Sequence, residues 1–88
     1  MTELLEKIIK EKTEAVNDLS DYFRKYYPSE ITKLEYNYLP SIDGNNLRYE
    51  YVSVYKLDAT PILRIDVTAD SIISLTNDIV KAIYNRLV

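Results

Sequence analysis

From Thr2 to about Tyr27, apolar residues recur at helical spacing: Leu5, Ile8, Ile9, Ala15, Val16, Leu19, Tyr22, Phe23 and Tyr26 share one face. The spacing predicts an amphipathic helix with Thr2 as its N-cap. Glu3 with Lys7, Glu6 with Lys10, and Asp21 with Lys25 stand four apart on the outer face, an arrangement that supports a helix. Pro28 excludes helical geometry at Tyr27 and ends the element. The period then falls to two. Ile31 to Leu39 sets Leu34, Tyr36 and Tyr38 against Lys33, Glu35 and Asn37. Asp43-Gly44-Asn45-Asn46 is a turn signal holding the only glycine of the chain. Leu47 to Leu57 alternates again, and we expect Leu47, Tyr49, Tyr51, Tyr55 and Leu57 on the apolar face, opposite Arg48, Glu50 and Lys56. After a loop through Asp58 and Pro61, Ile62 to Thr68 sets Leu63, Ile65 and Val67 against Arg64 and Asp66.

From Asp70 or Ser71 to Leu87 the helical period returns, with Ile72, Leu75, Ile79 and Ile83 in one stripe and Asp70 or Ser71 as the cap. The order α-β-β-β-α predicts one α+β domain over residues 1–88, a three-stranded antiparallel sheet with two helices packed on one face. We expect that face to carry the tyrosines, and the other to be wet, with Lys33, Glu35, Arg48, Glu50, Lys56, Arg64 and Asp66.

The first helix is long for so small a domain. Its 26 or so residues span about 39 Å, whereas a compact chain of this length is roughly 30 Å across. Either it overhangs the sheet or it breaks near Lys12-Thr13. Lys12 lies in the middle of its apolar face, so the expectation is a packed stem with the ammonium in water. The last helix is apolar over roughly 200°, where a stripe a little over 100° wide covers a sheet. Its second half-arc, Ile73, Val80, Tyr84 and Leu87, is either covered by the first helix or forms a self-association surface of a homodimer.

Composition then narrows the chemistry. The 88 residues hold 14 acids and 11 bases, for a net charge of -3, and nine Tyr but no His, Cys or Trp. No disulfide, thiolate metal site or cysteine nucleophile is available, and the commonest neutral-pH general base and metal ligand is missing. One glycine excludes a glycine-rich phosphate loop. The turn at Asp43 lacks the spacing and closing Glu of a calcium loop, and Asp18 and Asp21 sit on an exposed helix face. The expectation is a chain with no cofactor, no metal and no enzymatic activity. No apolar run reaches membrane-spanning length. The opening Met1-Thr2-Glu3-Leu4-Leu5-Glu6-Lys7 is unlike a signal peptide, so the expected compartment is the cytoplasm.

Tyrosine remains as the outstanding residue type. Tyr22, Tyr26 and Tyr27 end the first helix, and Tyr36, Tyr38, Tyr49, Tyr51 and Tyr55 belong to the strands. Buried phenols need partners for their hydroxyls, so some of these rings should stand at the rim. There they could anchor a protein partner or stack on bases. Charge favours protein: residues 1–30 carry seven acids and five bases, 31–68 five and four, and 69–88 two and two, with no basic block. The candidate partner-binding residues are Tyr27, Tyr36, Tyr38, Tyr49, Tyr51 and Tyr55.

The element order resembles that of the double-stranded RNA-binding domain. That resemblance implies RNA reading through the first helix, the first strand loop and a lysine cluster opening the last helix. Here the loop Pro40-Ser41-Ile42-Asp43-Gly44-Asn45-Asn46 lacks the family's Gly-Pro-x-His element, and Ala69-Asp70-Ser71-Ile72-Ile73 carries no lysine. The functional expectation is therefore a non-enzymatic protein-interaction module. It is of the kind that phage and mobile elements with AT-rich genomes use to block host defence enzymes, anti-CRISPR proteins among them. The alternatives are a nucleic-acid module or a dimeric assembly subunit.

Overall fold

The computed structural model describes residues 2–39, 49–56 and 60–87. Five elements follow the expected order: α1 (Thr2–Tyr26), β1 (Lys33–Leu39), β2 (Tyr49–Tyr55), β3 (Pro61–Asp66) and α2 (Ile72–Arg86). The strands form one antiparallel sheet in the order β1-β2-β3. The turn expected around Gly44, and Leu47, Arg48, Leu57 and Asp58, lie outside the described residues.

α1 runs unbroken through Lys12-Thr13 and matches the 41 Å long axis of the molecule. Its far end overhangs, with Leu4 60% exposed. Arg24 and Lys25 in the last turn favour the negative end of the helix dipole. After Pro28 the chain closes with Ile31 N–H donating to the Tyr27 carbonyl at 3.0 Å. At α2 the structure chooses between the two candidate caps: Ser71 accepts from Ser74 N–H at 3.1 Å. Asp70 has a different role, described below.

Both helices press on one face of the sheet. Val16 and Phe23 of α1 and Leu75, Ile79 and Ile83 of α2 close over Leu34, Val52, Val54, Ile65 and Val67. β3 faces as its alternation predicts. β2 does not. Tyr36 pairs with Val52 and Leu34 with Val54, so Val52, Val54 and Glu50 point at the helices. Tyr49, Tyr51, Ser53 and Tyr55 point away. The expectation that all five strand tyrosines share a face is thus corrected: Tyr36 and Tyr38 lie on the covered face, Tyr49, Tyr51 and Tyr55 on the open one. The physical reason is size and polarity. Compact β-branched valines fill a thin layer under two helices, while a phenol keeps its hydroxyl in water more cheaply outside it.

Candidate interaction surface

The closed face holds a polar cluster that the alternation of β2 does not suggest. Glu50, expected on the wet face, is 1% exposed, and Lys12, expected to reach water, is 4% exposed. Both expectations are corrected by one contact, Lys12 Nζ to Glu50 Oε1 at 2.7 Å. Tyr36 donates to the same oxygen at 2.6 Å, and Ala69 N–H donates to Oε2 at 2.8 Å. Burial alone would raise the Glu50 pKa, but the hydrogen bonds from Lys12, Tyr36 and Ala69 outweigh it and hold the carboxyl below the ordinary range. Ala69 takes a φ of 61°, the left-handed region that a Cβ disfavours. Its bond to Glu50 offsets that cost. One carboxylate therefore joins α1, β1 and the β3–α2 turn.

Beside it, the Asp70 carboxyl meets that of Asp78. Asp70 Oδ2 is shielded from solvent and has no hydrogen-bond donor. The Asp78 carboxyl, together with burial, pushes the Asp70 pKa up to about 6, with Lys12 pulling it down and Asp66 adding to the rise. A raised folded-state pKa means that the folded chain holds a proton that the unfolded chain releases. Stability from this pair is present below about pH 4 and lost as pH rises through about 6. Glu50 acts oppositely, losing its contribution as pH falls below its ordinary value of 4.5 toward its lowered folded-state value. Thermal melts across pH should peak between about pH 4 and 5. Asp70→Asn should be more stable than the parent at pH 7.5, by about 1 kcal/mol after solvent screening, and should lose the decline that the parent shows between about pH 5 and 6. A parent melting point rising through that interval would contradict the raised Asp70 pKa.

The open face is different in kind. Across it the register sets Lys33 beside Tyr55 and Leu39 beside Tyr49, with Ser53 between Glu35 and Arg64 and Tyr51 between Asn37 and Asp66. The Tyr49 and Tyr51 rings lie 5.2 Å apart at 31°. The Arg64 guanidinium sits 5.0 Å above the Tyr51 ring, and the Lys33 ammonium 5.4 Å from that of Tyr55. Tyr55 donates to Glu35 Oε1 at 3.2 Å, and Asn37 donates to Ser53 Oγ at 3.4 Å. Thr68, through its N–H and its hydroxyl, holds the Asp66 carboxyl below its ordinary pKa. Tyr49 and Ile62 are exposed at 41% and 43%. Rings, amide and charges are thus held in place by one another on a surface that neither α1 nor α2 covers.

Of the other candidate residues, Tyr36 spends its hydroxyl on Glu50, and Tyr38 sits half-buried opposite Glu50. Tyr27 is half-buried just past the C-terminal end of α1, its hydroxyl 3.0 Å from that of Tyr84. Hydrogen bonding to Tyr27, and then to Tyr22, pushes the Tyr84 phenol far above its ordinary pKa. Val80 and Leu87 pack half-buried on the core, so α1 covers part of the wide apolar arc of α2. Ile73 remains 75% exposed.

Among the described residues, no three acidic, His or Cys side chains converge on a metal site, and no helix is long and apolar enough to cross a membrane. The chain defines a three-stranded α+β fold with one face closed by helices and one face open. No protein-family model, curated protein or solved structure matches it.

Proposed function

We propose that the chain is a non-catalytic binding module that docks its open sheet face on a partner protein. The observation that carries this reading is the placement of Tyr49, Tyr51 and Tyr55 on the uncovered face, with Arg64 and Lys33 laid over the rings. Tyr and Arg are the residues that most often dominate protein interfaces, because they give large contact area at little conformational cost. The flanking charges are mixed, Lys33 and Arg64 against Glu35 and Asp66. That balance suits the polar rim of a protein surface better than a run of phosphates. The small, acidic, cysteine-free composition supports an inhibitory role of the phage or mobile-element type, in which the face blocks a host defence enzyme, as anti-CRISPR proteins do.

The test is affinity capture from host lysate, with the retained complex purified and its binding titrated. Tyr51→Ala and Arg64→Ala should each weaken binding at least ~10-fold, the effect of losing about 1.4 kcal/mol, with melting points near the parent's. Tyr22→Ala, on the helix side, should bind as the parent does. Equal binding by all three variants overturns the proposed surface. A mobility shift of single-stranded RNA or DNA that vanishes steeply with salt would assign the face to nucleic acid instead.

A further inference from the structure

We propose that two copies of the chain pair through the outer side of their helices, each seating its Ile73 in the groove between α1 and α2 of the other. The groove holds about 230 Å³ and is lined by Leu19, Tyr22 and Phe23 of α1 and Val80 and Tyr84 of α2. Its walls are almost wholly carbon, apart from the two phenol tips. Among the described residues, Ile73 is the most exposed of the large apolar side chains, at 75%. Knob and hole lie on one surface. At 100° per residue Ile73, Val80 and Tyr84 fall within about 40° of one another, and Ile73 stands about 10 to 16 Å along α2 from the groove.

A surface carrying both a projection and its matching recess is complementary to itself, the condition for a two-fold interface. A two-fold axis crossing α2 near Asn77 brings each Ile73 to the other copy's groove and runs the two α2 helices antiparallel. Asn77 is exposed on the same side, and its amide both donates and accepts. Two such amides meeting at the axis fix the register, as a single polar residue does in helix pairs.

Charge agrees with this arrangement. The copy's α2 lies along α1, whose rim beside Ala15 and Tyr22 exposes Glu11 and Asp18, while the outer rim of α2 exposes Lys81. Asp78, the other charged residue between Ile73 and Tyr84, is turned toward Asp70. The size is adequate too. α1 is about 38 Å long and α2 about 22 Å, each about 10 Å wide. Exposed Leu4 and half-buried Ile8 extend the stripe along the overhang, so the face offers roughly 600 Å², the lower end of what each partner gives to a stable interface. Pairing this way leaves both sheet faces outward, so a dimer would present two binding surfaces.

Sedimentation equilibrium from ~10 to ~500 µM tests this by mass action. The mass should rise from 10.3 kDa toward twice that value. Ile73→Lys should hold it at the monomer value with an unchanged melting point, since the side chain is exposed in the single chain. The chain has no cysteine, so an Ile73→Cys chain mixed with a Val80→Cys chain should form a mixed disulfide, and one mixed with a Tyr51→Cys chain should not. A parent that stays monomeric at ~500 µM, or a dimer that survives Ile73→Lys, overturns the proposal.

Discussion

Lys12→Met should lower the free energy of unfolding by about 3–5 kcal/mol, because it strands the Glu50 carboxylate beneath the helices without its counter-ion. For a domain of this size that is a fall in melting temperature of about 15–30 °C. Glu50→Gln should cost a similar amount, since it leaves the Lys12 ammonium buried against a neutral amide. The informative variant is the double one. With Lys12→Met and Glu50→Gln together the cluster holds no ion pair: the amide oxygen can take the Oε2 place and accept from Ala69 N–H, while the amide NH2 takes the Oε1 place and donates to the Tyr36 hydroxyl. The double variant should therefore recover much of the loss, giving a coupling energy of at least about 2 kcal/mol. Additive single losses would mean that the pair is not shielded from water. Denaturant unfolding at pH 7, with circular dichroism as the probe, measures all four corners of the cycle.

The second large effect is at Phe23. Its ring is fully buried, with centroids 5.3 Å from Tyr22, 5.9 Å from Tyr27 and 6.0 Å from Tyr84. Phe23→Ala should cost about 3–5 kcal/mol, combining lost transfer energy with the cavity left behind. Phe23→Leu keeps much of the volume and should cost less than about 1.5 kcal/mol. Stability is not the only readout. The ring holds Tyr27 and Tyr84 in place for their hydroxyl contact, so in folded Phe23→Leu the Tyr84 phenol should titrate closer to an ordinary phenol than in the parent. An unchanged absorbance titration would show that the Tyr27–Tyr84 link forms without Phe23.

Element order, the polarity of β3, and α2 with its apolar stripe were readable because each depends on local spacing. The faces of β2 were not. In Tyr49-Glu50-Tyr51-Val52-Ser53-Val54-Tyr55 both parities look apolar, one through phenols and the other through valines. Counting tyrosine as a core residue tips the choice the wrong way. The deciding signal was non-local. Lys12 is a cation at the centre of an apolar helix face and requires an acid opposite it. Glu50, in phase with Val52 and Val54, is the acid that meets the need. Matching those two misfits would have turned β2 over and set Tyr49, Tyr51 and Tyr55 on the open face. The covering of the α2 arc could not be read either, because it depends on where α1 lies across the sheet. The structure divides the arc, with Val80 packed against the core and Ile73 left in solvent. The Asp70–Asp78 contact likewise arises from the course of the turn through Ala69, which spacing does not reveal.

The central claim is that the open tyrosine face, and not the helix side, meets the partner. Amide and side-chain NMR spectra of the labelled chain, recorded with and without the purified partner, test it most directly. The account predicts that signals of Tyr49, Tyr51, Tyr55, Arg64 and Asn37 shift or broaden on binding, while those of Tyr22, Val80 and Tyr84 change little. Perturbations confined to α1 and α2, with the sheet tyrosines unmoved, would contradict it.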